Sequence, residues 1–255
     1  MKETNSELMS ETQKTSTENW FASWFDTEYY HILYKERNDE EAQLLMDNLT
    51  QYLNLPEDAK ILDLACGKGR HAIYLNSLNY DVTGADLSEN SIAEASKFTN
   101  DKLHFKVHDM REPFEEKYDA IFNLFTSFGY FEDAADNFKT IKAIHNSLTE
   151  TGFAVIDFMN VDYVLENLVA DEVKSVDGID FHIKRYLKDG HIYKEIDFES
   201  KGEKFHFTEK VQALRLSDFE NIMEEAGIFL LDIFGDYKLR KFYKTQSERL
   251  IMIFK

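Results

Sequence analysis

A single cysteine, Cys66, and two prolines stand in 255 residues. One cysteine excludes an intramolecular disulfide framework and any multi-cysteine metal site, and so few prolines leave few rigid loops. Basic residues are scarce: 29 Lys and Arg face 48 Asp and Glu, a formal charge of −19. A surface of that sign repels a polyphosphate backbone, so no nucleic-acid partner is expected. No apolar run reaches the roughly 18–20 residues a membrane-spanning helix needs. The N-terminus reads as lacking the basic and apolar regions of a secretory signal. No membrane partner and a cytoplasmic location are therefore expected. His104, His108, His182, His191 and His206 are scattered without metal-ligand spacing, and no metal site is expected.

What is present suffices for a core: hydrophobic residues make up 43% and aromatics 14%, and the length fits one large domain or one domain carrying an inserted piece. The acidic excess lies in the N-terminal and central parts and reads as surface solvation. The last stretch is near balance, with Lys238, Arg240, Lys241 and Lys244 read as a solvated hairpin tip.

Residues 1–17 are polar and read as a disordered tail. Aromatic residues then crowd in, with Trp20 and Trp24, and Phe21 and Phe25, at the i, i+4 spacing of helix faces. Residues 18–58 are read as an N-terminal helical lid, including an amphipathic helix over 39–54 with Leu45, Leu49 and Leu53 on one stripe. Short apolar strands at 60–65, 81–87, 103–109, 118–125 and 152–160 then alternate with helices at 69–79, 88–99 and 133–149. This alternation implies a parallel sheet covered on both faces. From 161 to 215 the pattern changes to β-rich runs, with Asp189-Gly190 as a hairpin turn. A helix over 216–227, capped by Ser217 and stopped by Gly227, and strands at 228–234 and 249–255 close the chain. The fold class is α/β, with residues 59–160 and 216–255 forming one domain and 161–215 an inserted antiparallel subdomain.

The most informative run is Ile61-Leu-Asp-Leu-Ala-Cys-Gly-Lys-Gly-Arg-His-Ala72. A buried strand runs into Gly67 and Gly69 and then into a helix whose first N–H groups are free to meet a ligand. Asp86 ends the second strand, where a carboxylate can accept both hydroxyls of a ribose. Two chemistries share this scaffold. Gly67, Gly69 and Ala72 match the dinucleotide fingerprint of nicotinamide oxidoreductases. The alternative is S-adenosylmethionine binding, in which an acidic residue, here Asp63, stands at the first strand end and no pyrophosphate is cradled.

The stretch from Asp63 to His71 resembles the first motif of class I S-adenosylmethionine-dependent methyltransferases. Asp86 is similar to their second-strand acid, His108-Asp109-Met110 to the stretch after their third strand, and Asn123 to Tyr130 to the segment after their fourth. The resemblance spans about residues 40–160, and the closing helix and two strands fit that family's reversed last strand. It implies a Rossmann-like, doubly wound, seven-stranded sheet and S-adenosylmethionine as cofactor. Asp63 would meet the methionine part and Asp86 the ribose, with Ala65, Gly67, Gly69 and Leu87 also binding the cofactor. Asp109 would meet the adenine, Met110 would pack on its face or fill core, and Leu124 and Phe125 would lie near the methyl group. Ala65 departs from the glycine usual there. Tyr30, Tyr34 and Arg37 are implied lid contacts, Arg37 toward the cofactor carboxylate. The alternative for Asp63 is simply to cap the turn by accepting backbone N–H bonds.

An amine acceptor needs little general catalysis, whereas oxygen or carbon would need a base. Tyr130, His206 and Glu209 are candidates for that base on location alone. The expected activity is methyl transfer, preferentially to nitrogen of a small molecule, in a monomer or homodimer. A protein substrate and a nicotinamide oxidoreductase are the alternatives. The insertion is expected over the carboxyl edge of the sheet, walling the acceptor.

Overall fold

The structure is a computed structural model that describes residues 24, 25, 27–35 and 39–255. The tail over 1–17 and Arg37 lie outside the described residues.

The seven-stranded sheet is built from β1 (Lys60–Leu64), β2 (Asp81–Asp86), β3 (Leu103–Val107), β4 (Tyr118–Asn123), β5 (Leu148–Met159), β10 (Leu230–Phe234) and β11 (Arg249–Phe254), in the order β10-β11-β5-β4-β1-β2-β3. Strands β1 to β5 pair in parallel, and β11 runs antiparallel between β5 and β10. The expected reversed last strand is therefore present. Alternation along each strand divides the core. Ile61, Val155, Ile251 and Ile253 pack under α2 (Asp39–Tyr52) and α3 (Arg70–Ser77). On the other face Leu62, Ile121, Ile156 and Met252 pack under α5 (Ala134–Asn146) and α7 (Leu216–Ala226). Asp63, two residues after Ile61, thereby falls on the α3 face, and so do Asp157 and Arg249. The short α4 (Glu89–Ala95) follows β2, and Ser88 caps it by accepting from the Ser91 N–H.

Between β5 and α7 lie α6 (Val161–Glu166) and a second sheet, β6 (Asp171–Val176), β7 (Ile179–Lys188), β8 (His191–Ser200) and β9 (Glu203–Gln212), antiparallel throughout. Each of its hairpins turns on two residues of positive φ, Asp177-Gly178, Asp189-Gly190 and Lys201-Gly202, as the right-handed strand twist favours. The inner face carries Phe181, Ile183, Ile196 and Phe198, covered by Trp24 and by Tyr29 and Leu33 of α1 (Glu28–Leu33). The small sheet stands on the carboxyl edge of the large one. The Gln212 N–H donates to the Gly129 carbonyl in the loop after β4, and the Gln212 side chain donates to the Phe131 carbonyl.

Two expectations change. The helix α7 opens at Leu216, with the Asp218 carboxylate accepting from the Arg215 N–H, so Ser217 lies inside the first turn and is not the cap. Strand β5 begins at Leu148, four residues before the expected start.

Candidate functional site

The carboxyl ends of β1 to β4 bring the sequence motifs to one edge. Asp63 is 1% exposed. Its Oδ2 accepts from the Ala72 N–H at 3.0 Å, in the first turn of α3. Gly69, at the N-cap, offers no side chain of its own, so the strand supplies the cap that the helix lacks. This carboxylate also puts a negative charge where a pyrophosphate would sit in a dinucleotide site, which counts against the nicotinamide reading. Ala65 sits at φ 64°, in the left-handed region that favours glycine. That conformation is a physical reason for the glycine usual at this position.

Gly67 and Gly69 differ in kind. A Cβ on Gly67 would meet no atom within 4 Å, and the Gly67 N–H donates to Asp86 Oδ2 at 2.8 Å. The loop is open there beside the β2 carboxylate. A Cβ on Gly69 would instead lie 2.7 Å from the Phe105 ring of β3. Gly69 has a packing reason to be glycine, independent of any ligand. Cys66 is buried, and burial together with the charges of Asp63 and Asp86 pushes its thiol pKa far up. It stays a protonated, inert packing group.

Asp86 accepts from the Ser88 N–H through its second oxygen at 2.9 Å, and Leu87 beside it is 47% exposed. After β3, Arg111 holds Asp109 through its backbone N–H and its guanidinium, and donates to Asp136 of α5 at 2.8 Å. Hydrogen bonding from Arg111 holds the Asp109 carboxyl below its ordinary range. Met110 packs partly buried against the core on the α5 face.

At the end of β4, Asn123 is 1% exposed and donates to the Leu64 carbonyl, while its Oδ1 is buried without a hydrogen-bond partner. A buried acceptor of this kind at a ligand edge fits a donor on a bound molecule. Leu124 points its side chain into the core under α2 and α3, so only its backbone reaches the edge. The Phe125 ring stacks on His71 with centroids 5.0 Å apart. Behind it stand Asp157, Arg249 and Tyr237, three residues that sequence reasoning passed over. Burial and then the negative charge of Asp157 push the Tyr237 phenol upward.

The remaining candidates separate by face. Glu209 lies on the inner face of the small sheet, directly across from Lys194. Its Oε1 accepts from Trp24 Nε1–H at 2.8 Å and from the Tyr34 hydroxyl at 2.6 Å. Lys194 lies over the Tyr34 ring, 4.4 Å from its centroid. Tyr30 packs on Phe25, which meets Tyr130 edge-on at 5.8 Å. The structure thus brings Tyr30, Tyr34, Tyr130 and Glu209 into one aromatic, carboxylate-bearing wall. His206 does not join it. Three residues before Glu209, it falls on the outer face by the two-residue strand period, exposed and paired with Asp197 at 2.8 Å. The location argument for His206 as a base fails on that parity. Among the described residues no cluster of metal ligands occurs.

A family model described as a methyltransferase domain matches residues 61–152, the span that carries these strand ends. The glycine/sarcosine N-methyltransferase of Halorhodospira halochloris is 26% identical over 215 residues, covering 78% of this chain and 76% of that protein. The family model and these relatives support a class I S-adenosylmethionine-dependent methyltransferase family for the chain. Its fold is shared by an S-adenosylmethionine-dependent methyltransferase from Clostridium acetobutylicum, with TM-score 0.75, 23% identity, and coverage of 89% of this chain and 95% of that one. It is also shared by CalS10, an amino pentose methyltransferase from Micromonospora echinaspora solved with S-adenosylmethionine bound. There the TM-score is 0.69 at 17% identity, over 89% of this chain and 96% of that one. The family model and the S-adenosylmethionine-bound neighbour support S-adenosylmethionine as the cofactor. The site fits it: carboxylates stand at the first three strand ends, the loop opens at Gly67, and a buried acceptor waits on Asn123. Among the described residues no helix is long and apolar enough to cross a membrane.

Proposed function

We propose that this methyltransferase acts on nitrogen of a small-molecule acceptor held between the loop after β4 and the inner face of the small sheet. The carrying observation is the attachment of β9. Gln212 binds the Gly129 and Phe131 carbonyls, and Ile192 and Val211, on the same face as Lys194 and Glu209, pack in the core of the large sheet, which supports placing that face over the carboxyl edge. The insertion 161–215 is then the acceptor subdomain, Trp24, Tyr29, Leu33 and Tyr34 its cover, and 59–160 with 216–255 the cofactor domain. The relatives support the acceptor class, since one is named for glycine and sarcosine and another for an amino pentose.

In this reading Asp86 takes the ribose hydroxyls, Asp109 and Met110 the adenine, and the Asp63–Gly67 loop with Leu87, Leu124 and Phe125 the remainder. S-adenosylmethionine supplies an activated methyl group on a sulfonium that leaves as a neutral thioether. The protein's task is to align the acceptor nitrogen and exclude water. The Glu209 carboxylate, fixed by Trp24 and Tyr34, faces a positively charged or hydrogen-bond-donating acceptor, and Tyr130 bounds it on the other side. The aromatic wall suits an amine or sulfonium cation.

Titration calorimetry with S-adenosylhomocysteine tests the cofactor half: Asp86→Ala should weaken binding by about 1–3 kcal/mol, and no change would remove Asp86 from the site. Labelled methyl transfer to a panel of amino acids and amino sugars tests the acceptor half. Transfer only to hydroxyl compounds or to protein would overturn the nitrogen reading.

A further inference from the structure

Two adjacent residues after β4, Phe125 and Thr126, have left-handed backbone, at φ 59° and 62°. Neither is glycine, and a side chain in this region is tolerated only where its surroundings enforce it. Here the surroundings are two residues distant in sequence. The Phe125 N–H donates to Asp157 Oδ2 at 2.9 Å, and the Thr126 N–H to the Asp157 carbonyl at 2.9 Å. Arg249 Nε donates to Asp157 Oδ1 at 2.7 Å, and an Arg249 terminal nitrogen donates to Thr126 Oγ1 at 2.9 Å. Asp157 is fully buried at 0% exposure, so its charge depends on Arg249 for compensation.

The turn so held aims the Phe125 ring at the start of α3. That ring stacks on His71, lies 5.0 Å from the Arg70 guanidinium and packs against Tyr237 at 5.2 Å. Arg70 and His71 directly follow the glycine loop. The sheet itself does not call for the ion pair: β5 and β11 stay in unbroken register from Arg249 opposite Met159 to Phe254 opposite Ala154.

We propose that Asp157 and Arg249 are positioning residues of the methyl-transfer site. They clamp Phe125 and Thr126 in the left-handed conformation and so set the affinity of the glycine-loop edge for cofactor. The proposal rests on the placement of Phe125 at the cofactor edge made above.

Arg249→Lys keeps a cation but loses the planar fork that reaches Asp157 and Thr126 together. It should weaken S-adenosylhomocysteine binding about tenfold or more in calorimetry at a temperature where circular dichroism shows it folded. Glycine adopts the left-handed turn without a clamp. Thr126→Gly alone should therefore bind within about threefold of the unaltered protein, and adding it to Arg249→Lys should restore binding to that level. Wild-type affinity in Arg249→Lys, or no recovery in the double variant, overturns the proposal. Should Arg249→Lys fold poorly, Asp157→Asn keeps an oxygen for the Phe125 N–H while removing the charge, and a loss there of less than about threefold overturns it equally. Failure of the unaltered protein to bind S-adenosylhomocysteine would instead strike the cofactor-site assignment, and the proposal with it.

Discussion

In the large sheet, β1, β2, β4 and β5 are buried on both faces, and their polar residues gather where the strands end. In the small sheet, β7 to β9 alternate along their length. Phe181, Ile183, Ile196 and Phe198 lie inside, while His182, Lys184, Asp197 and His206 look outward across the same strands. The first arrangement places chemistry in backbone loops held by close packing. The second places it in side chains on a face that needs a cover. Trp24, Tyr29 and Leu33 are that cover, and beside them Phe25 meets Tyr130 in the loop after β4. The cofactor edge is thus made of local sequence and the acceptor wall of distant sequence.

Removing the cover tests the dependence most severely. Trp24 is fully buried and bonds Glu209. Trp24→Ala should cost about 3–5 kcal/mol of stability, as for other buried aromatics. Urea denaturation measures the loss. Hydrogen exchange should show protection falling first in β7 to β9, and a uniform fall across both sheets would break the distinction drawn above.

The same contrast explains what could be read in advance. The first loop, Asp86 and Asp109 lie within short stretches whose spacing carries the resemblance, and the alternation of strands and helices follows from local hydrophobic period. The Asp189-Gly190 turn was legible from its composition. Asp177-Gly178 has the same chemistry and turns the same way, and Lys201-Gly202 lacks the Asp or Asn that would have flagged it. Gly69 was visible as a glycine, but its reason is the Phe105 ring, which depends on how β3 packs. Asp157, Arg249 and Tyr237 carry no motif. They matter because β11 is inserted beside β5, a pairing across about 90 residues that periodicity does not specify. The bond from Trp24 to Glu209 joins positions 185 residues apart. His206, three residues before Glu209, takes the opposite face of β9, a parity that an argument from location alone does not include.

Close packing in the large sheet makes the opposite prediction to a removable cover, since adding atoms should hurt. Gly69→Ala would place a Cβ 2.7 Å from the Phe105 ring and 3.2 Å from Ala95 at φ 84°. Backbone strain and overpacking together should cost about 2–4 kcal/mol, read as a lowered urea midpoint. A change near zero would mean that Phe105 swings aside, and that the edge is softer than its packing indicates.

Relief of strain at the same edge should have a smaller effect of opposite sign. Ala65 occupies the left-handed region at φ 64°, and Ala65→Gly removes the steric penalty while adding unfolded-state freedom. The net stabilisation should be about 0.5–1 kcal/mol, measured by thermal unfolding. A destabilisation would show that the alanine methyl contributes packing worth more than its strain.

The smallest expected effects compare ion pairs of the two regions. Arg111 joins Asp109 and Asp136 across the carboxyl edge of the large sheet, whereas Lys201 and Glu28 meet in the open where the cover joins the small sheet. Hydrogen bonding from Arg111 lowers the Asp109 carboxyl pKa, and bonds from Lys139 and then Arg111 lower that of Asp136. Carboxyls depressed in the folded state contribute stability that is complete above their unfolded pKa, about 3.9. That contribution is lost as the pH falls through the folded value. Arg111→Gln should therefore cost about 1 kcal/mol or less at neutral pH, a partly exposed pair being screened by solvent. The gap from the unaltered protein should close as the pH drops below about 4. Lys201→Ala should change nothing measurable at either pH. A cost for Arg111→Gln that persists unchanged in acid would mean that its guanidinium acts through packing on the Phe131 ring, 5.5 Å away, and not through the two carboxylates.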